Sequence, residues 1–115
     1  MRLVGIAIAL LSLTGPVLAK PGCDEPAIGT RTVPILSPPL SGIVVGTGRL
    51  QFFSAPHTRC RMNGIFVVPG DEVISYAQTT DGWSSVMYSN PKTGNAVSGW
   101  VKSSRLKEAS AIRPK

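Results

Sequence analysis

Beyond residue 48 the chain alternates short apolar runs with turn-forming residues, a rhythm that predicts short strands rather than helices. Leu50-Gln51-Phe52-Phe53 alternates in a way that turns Leu50 and Phe52 inward. Ser54-Ala55-Pro56 ends that strand and opens an irregular loop through Asn63-Gly64. Ile65-Phe66-Val67-Val68 is apolar throughout and reads as a buried strand. Pro69-Gly70-Asp71 then turns the chain into a strand from Val73 to Tyr76. Asp81-Gly82 is the clearest hairpin signal, suited to a two-residue turn, and Trp83 to Tyr88 continues from it. Asn90 to Asn95 supplies a longer polar hairpin loop, and Ser98 to Val101 is the last full strand. Lys102-Ser103-Ser104-Arg105 is expected to make one short helical turn before Leu106.

Upstream the pattern changes twice. Residues 1–19 read as a cleaved secretory signal: Arg2 is the positive start, Leu3 to Leu13 is almost wholly apolar, and Gly15-Pro16 breaks the run before Ala19. That run is too short for a stable transmembrane helix, so no transmembrane anchor is expected. A lipid anchor is not expected either, since Lys20-Pro21-Gly22 precedes Cys23. Residues 20–46 carry Pro21, Pro26, Pro34, Pro38 and Pro39, which argues for an extended arm and against a helix or central strand. Ile43-Val44-Val45 is expected to form one short strand at its end. The resulting division is 1–19 signal, 20–46 arm, 47–107 β-domain and 108–115 flexible tail.

Composition narrows the setting. A chain of 115 residues, less a signal, holds a single domain. Its net charge of +6 falls by one when Arg2 is removed, and the surplus favours acidic partners such as an anionic cell-wall polymer. A solvated basic surface, common among exported bacterial proteins, is the favoured account of it. Export to the periplasm or the medium makes nucleic acid a poor partner. Two cysteines remain, Cys23 and Cys60, and an oxidising compartment favours one bond between them. Such a bond would staple the arm to the β-domain and restrict the unfolded chain by about 4 kcal/mol. Two isolated thiols, or a bond to another chain, are the alternatives.

Four motifs in order resemble the bacterial SH3-like (SH3b) domain. They are Ser54-Ala55-Pro56, Gly70-Asp71-Glu72-Val73, Gly82-Trp83-Ser84-Ser85-Val86, and Gly99-Trp100-Val101 followed by Leu106. The resemblance implies an all-β fold, a small SH3-like barrel of about five strands, used for binding rather than chemistry. It also implies peptidoglycan as a partner class. Phe53 and Ala55 depart from the family's usual polar residue and glycine, and Phe53 is read as packing under the arm. The loop between Val86 and Gly99 is also longer than the family's shortest versions.

Catalytic material is sparse. The single histidine, His57, stands in a turn-rich loop three residues before Cys60, and a thiol–imidazole pair would need Cys60 to be free. Asp24-Glu25 lies in the arm and Asp71-Glu72 flanks a turn, so neither reads as an acid/base pair. One histidine and two bonded cysteines make no standard zinc site, and no cofactor or metal is expected. Binding surfaces are better supplied. Tyr76, Trp83, Tyr88 and Trp100 are candidate ligand contacts, each with core packing as its competing role. Lys92 and Arg105 join them as basic contacts, with Arg59, Arg61 and Lys102 as further positive charge. The expectation is a monomeric, non-enzymatic module that recognises cell-wall polymer or an envelope protein. The alternative is an inhibitor or immunity-type protein that inserts its Asn90–Asn95 loop into a partner enzyme.

Overall fold

The computed structural model describes residues 22–111; the expected signal at 1–19 and the last four residues lie outside them. Seven strands form one antiparallel sheet: β1 (Ile35–Val44), β2 (Leu50–Phe53), β3 (Arg61–Val67), β4 (Glu72–Gln78), β5 (Trp83–Ser89), β6 (Ala96–Lys102) and β7 (Leu106–Ala111). A 3-10 turn at Ser103–Arg105 joins β6 to β7, where the sequence places a helical turn. The order across the sheet is β3-β2-β6-β5-β4-β1-β7. The all-β class expected from the strand rhythm is observed, in an open sheet of seven strands.

Two segments assigned outside the β-domain belong to the sheet. Residues 35–44 of the expected arm form β1, which lies between β4 and β7. The prolines are tolerated because they fall where pairing lapses. Ile35 pairs with Ala77 and Leu40 with Ser75, so Leu36 to Pro39 bulge opposite the single residue Tyr76. A proline there withholds no ladder hydrogen bond. Residues 108–111 of the expected tail likewise belong to β7, which pairs with β1 from Leu106↔Val44 to Ala111↔Leu40; the rest of that tail lies outside the described residues. Nothing in their own sequence is strongly apolar; the partner strand supplies the reason.

The core divides at β2. Leu50 and Phe52 point inward as the alternation predicts, and join Val44, Val67, Val73, Val86 and Val101. Phe53, one residue on, packs with Val33, Ala77, Trp83 and Trp100. Its ring meets Trp83 edge-on at 5.0 Å. Val33 comes from the arm, so Phe53 does lie under it. Further contacts hold the arm: Thr80 N–H donates to Thr32 O at 3.0 Å, and the Cys23–Cys60 disulfide ties its start to the loop after β2.

β3 begins at Arg61, four residues before the apolar run suggests. Its start is irregular, because Gln51 pairs with Phe66 and Phe53 with Arg61, leaving a bulge between. The Gln51 side-chain amide donates to Met62 O at 2.6 Å and to Ile65 O at 3.0 Å, holding that bulge closed. The hairpin between β4 and β5 also differs from expectation. Thr79 N–H donates to Trp83 O, so three residues rather than two make the loop, with Gly82 at φ 102°.

Gly99 lies where β6 crosses β2. A Cβ there would come 2.9 Å from Phe52 Cδ2, 3.0 Å from Phe53 O and 3.2 Å from Met62 Sδ. One of those neighbours is backbone and cannot rotate away. Gly99→Val is therefore expected to destabilise the domain by about 2–3 kcal/mol, as overpacking does, and urea unfolding checks it. A midpoint unchanged from the parent would show that the β2–β3 hairpin shifts freely.

Candidate functional site

The strand ends on one side of the sheet build a groove around Tyr88. Pro69-Gly70-Asp71 turns β3 into β4, and Asn90 to Asn95 connects β5 to β6. Both loops are rigid for local reasons. The Asp71 carboxylate accepts the Val68 N–H at 2.9 Å, which closes its turn. The Asn90 side chain accepts the Lys92 N–H at 2.8 Å, while Asn90 N–H donates to Asn95 O and Gly94 N–H to Asn90 O, each at 2.8 Å. Asx-type bonding of this kind holds a loop without any core beneath it.

Between these loops the surface is concave. One depression, about 520 Å³, is bordered by Ser41, Glu72, Ile74, Met87, Tyr88 and Pro91, with Asp71 at its turn. An adjoining one of about 420 Å³ shares Asp71, Tyr88 and Pro91, and adds Phe66, Val68 and Lys92. A third, about 210 Å³, runs from Tyr88 along Ile65 and Phe66 to Val97. Tyr88 borders all three, half-buried, with its ring also packed on the main core. Volumes of this size suit a small ligand or a short peptide. Arg49 stands over the Phe66 ring at 4.2 Å, placing a cation on its exposed side.

The expected aromatic contacts separate. Tyr88 and Lys92 meet in the groove. Trp100 does not: it is 0% exposed and belongs to the second core cluster. Trp83 is 6% exposed in the same cluster, and Lys102 covers its ring at 4.9 Å. Neither borders the Tyr88 groove, because both rings pack into the second core cluster beneath the arm. Tyr76 is 38% exposed and borders none of the three depressions; it falls in the bulge between the Ser75↔Val86 and Ala77↔Ser85 pairs of β4 with β5. Arg105 is a clamp: its guanidinium donates to Val45 O, to Gly48 O at 2.7 Å and to Arg49 O at 3.5 Å, holding the β1–β2 loop. Its position is set by structure rather than by a ligand.

Other expected residues fall elsewhere. Cys23 and Cys60 are bonded, Cα to Cα 5.6 Å, which takes Cys60 out of thiol chemistry while the bond stands. His57 is exposed and borders a separate depression of about 300 Å³ between the arm and the Thr79–Asp81 turn. Among the described residues no group of three His, Cys, Asp or Glu is placed to hold a metal ion. No described helix is long and apolar enough to cross a membrane. Sequence reasoning missed Phe66, Glu72 and Pro91 as groove residues. Asp71-Glu72 reads as a turn former, and no local signal shows that this turn faces the Asn90–Asn95 loop. No protein-family model, no curated protein and no solved structure matches the chain.

Proposed function

We propose that this protein is an exported, non-enzymatic binding module of SH3-like type, which recognises a cell-envelope component through the groove at Tyr88. The observation that carries the reading is the convergence of three concavities on one half-buried tyrosine, between two loops that are internally bonded. A preformed, rigid groove lowers the ordering cost of binding. The SH3-like assignment draws support from where the family-type motifs fall. Gly70-Asp71 precedes β4, Gly82-Trp83 opens β5, Gly99-Trp100 lies in β6 and Leu106 opens β7. Strands β6-β5-β4-β1-β7 are consecutive neighbours, a five-strand unit to which the β2–β3 hairpin adds at β6. The disulfide and the signal-like start are in keeping with a periplasmic or secreted location.

Capture of the purified protein by insoluble cell wall and by solubilised envelope extract tests this reading. Tyr88→Ala is expected to lower capture by about tenfold, the effect of losing one aromatic anchor. Tyr76→Ala, at a residue that borders none of the three depressions, is expected to leave capture unchanged. Equal capture of parent and Tyr88→Ala, or none by any envelope fraction, would overturn it. The inhibitor reading keeps one specific observation in its favour: residues 91–96 form an exposed loop held by its own hydrogen bonds. Pre-organised loops of that kind insert into enzyme clefts with little entropy loss. Recovery of a single enzyme from the extract, inhibited on mixing, would favour it over a wall ligand.

A further inference from the structure

The charge of the groove runs against the charge of the molecule. The chain carries 12 basic and 6 acidic side chains, yet the depression of about 520 Å³ is bordered by Asp71 and Glu72 and, among the described residues, by no Lys, Arg or His. We propose that this part of the groove takes the lysine side chain of an extended peptide segment in a partner protein. The proposal rests on the reading of the Tyr88 groove as the binding site.

Three features point to that chemistry. First, both carboxylates keep acceptor capacity. Asp71 uses an oxygen on the Val68 N–H and Glu72 accepts the Ser41 hydroxyl, whereas an ionised carboxylate offers about four lone-pair sites. An ammonium brings three donors and no acceptor, the complement of such a wall. Second, Ile74, Met87, Tyr88 and Pro91 give the border an apolar stretch, alongside the polar Ser41 and Ser89. A lysine buries its four-carbon stem on surfaces of this kind while the charged head stays with polar groups. Met87 can adjust to the stem, and an aromatic ring such as that of Tyr88 attracts cations. Third, the depression does not end with one side chain. It continues past Tyr88 and Pro91 into the space bordered by Lys92 and Phe66, long enough for the flanking residues of an extended chain. Lys92 disfavours a second cation there, which selects a lysine followed by neutral or acidic residues. An anionic polymer, by contrast, meets the acidic wall first.

The test is a titration of the isotope-labelled protein followed by amide resonances, using three probes: acetyl-Ala-Lys-Ala-amide and its norleucine and glutamate analogues. The lysyl peptide is expected to give saturable shifts at Ile74, Met87, Tyr88 and Ser89. The two analogues are expected to bind about tenfold more weakly or not at all, since they lose the charge-assisted contacts. Glu72→Gln is expected to lower lysyl affinity by about tenfold. The same spectra report whether the variant is folded. Equal binding of the three peptides, lysyl binding unaffected by Glu72→Gln, or no saturable shift at about 10 mM peptide would overturn the proposal. The envelope capture assay separates it from the reading beneath it. Capture lost in Tyr88→Ala but kept in Glu72→Gln leaves the groove as a site and removes lysine as its ligand. Lysyl binding without any envelope capture keeps the groove as a lysine site and removes an envelope component as its partner.

Discussion

Trp100→Ala is expected to remove about 3–5 kcal/mol of stability, while Trp100→Phe is expected to fall within about 1 kcal/mol of the parent. The indole is fully buried beside Val33, Ala77 and Trp83, so truncation leaves a cavity that interior strands on both sides cannot collapse into. Against a typical total of about 5–15 kcal/mol, that loss brings a small domain close to unfolding. The phenylalanine variant behaves differently because Trp100 Nε1 is buried without a hydrogen-bond partner among the described residues. An unmet buried donor costs about 1–3 kcal/mol, and removing it offsets the volume lost with the smaller ring. Urea unfolding followed by the fluorescence of Trp83, retained in both variants, reads the two values. Equal destabilisation by alanine and phenylalanine would mean that the indole N–H is satisfied in solution.

Removing the disulfide is expected to have an effect of similar size. Cys23 and Cys60 are 37 residues apart, and closing a loop of that length restricts the unfolded chain by about 4 kcal/mol in the entropy model. The double variant Cys23→Ala, Cys60→Ala is expected to melt roughly 20 °C lower than the parent, measured by circular dichroism without reductant. Ahead of β1, Val33 in the second cluster and two backbone bonds, Thr80 N–H to Thr32 O and Gln78 N–H to Pro34 O, still hold the arm. The loss is therefore expected to appear first as greater exposure of Trp83 and Phe53. A fall of only a few degrees would show that packing of Val33, rather than the covalent tie, fixes the arm. The same variant tests a functional corollary. The Tyr88 groove draws on no residue before Ser41, so envelope capture at a temperature where the variant is folded is expected to match the parent.

The binding groove was only half legible beforehand, and the reason is distance in sequence. Tyr88 and Lys92 are near neighbours in the chain, and an exposed tyrosine before a polar hairpin loop is a recognisable local signal. Asp71 and Glu72, some twenty residues earlier, are brought opposite that loop by the β4–β5 pairing. Arg105 carries a positive charge like any rim residue, and only its three backbone carbonyl partners reveal a clamp. Trp83 and Trp100 are ambiguous in sequence because aromatic residues serve cores and interfaces equally well.

Local chemistry determined the all-β class, the turns at Pro69-Gly70-Asp71 and at Asn90 to Asn95, and the inward pair Leu50 and Phe52. Those properties depend on residues that are adjacent or two apart, where alternation and turn propensity act directly. Only the tertiary structure decided that a proline-bearing segment sits inside the sheet, that residues 106–111 complete it, and that the second core forms beneath the arm. Each of these is settled by a partner strand or a covering side chain far away in the chain. Backbone groups of a weakly apolar segment become ordered once a neighbouring strand offers them hydrogen bonds, and nothing in the segment itself announces that neighbour.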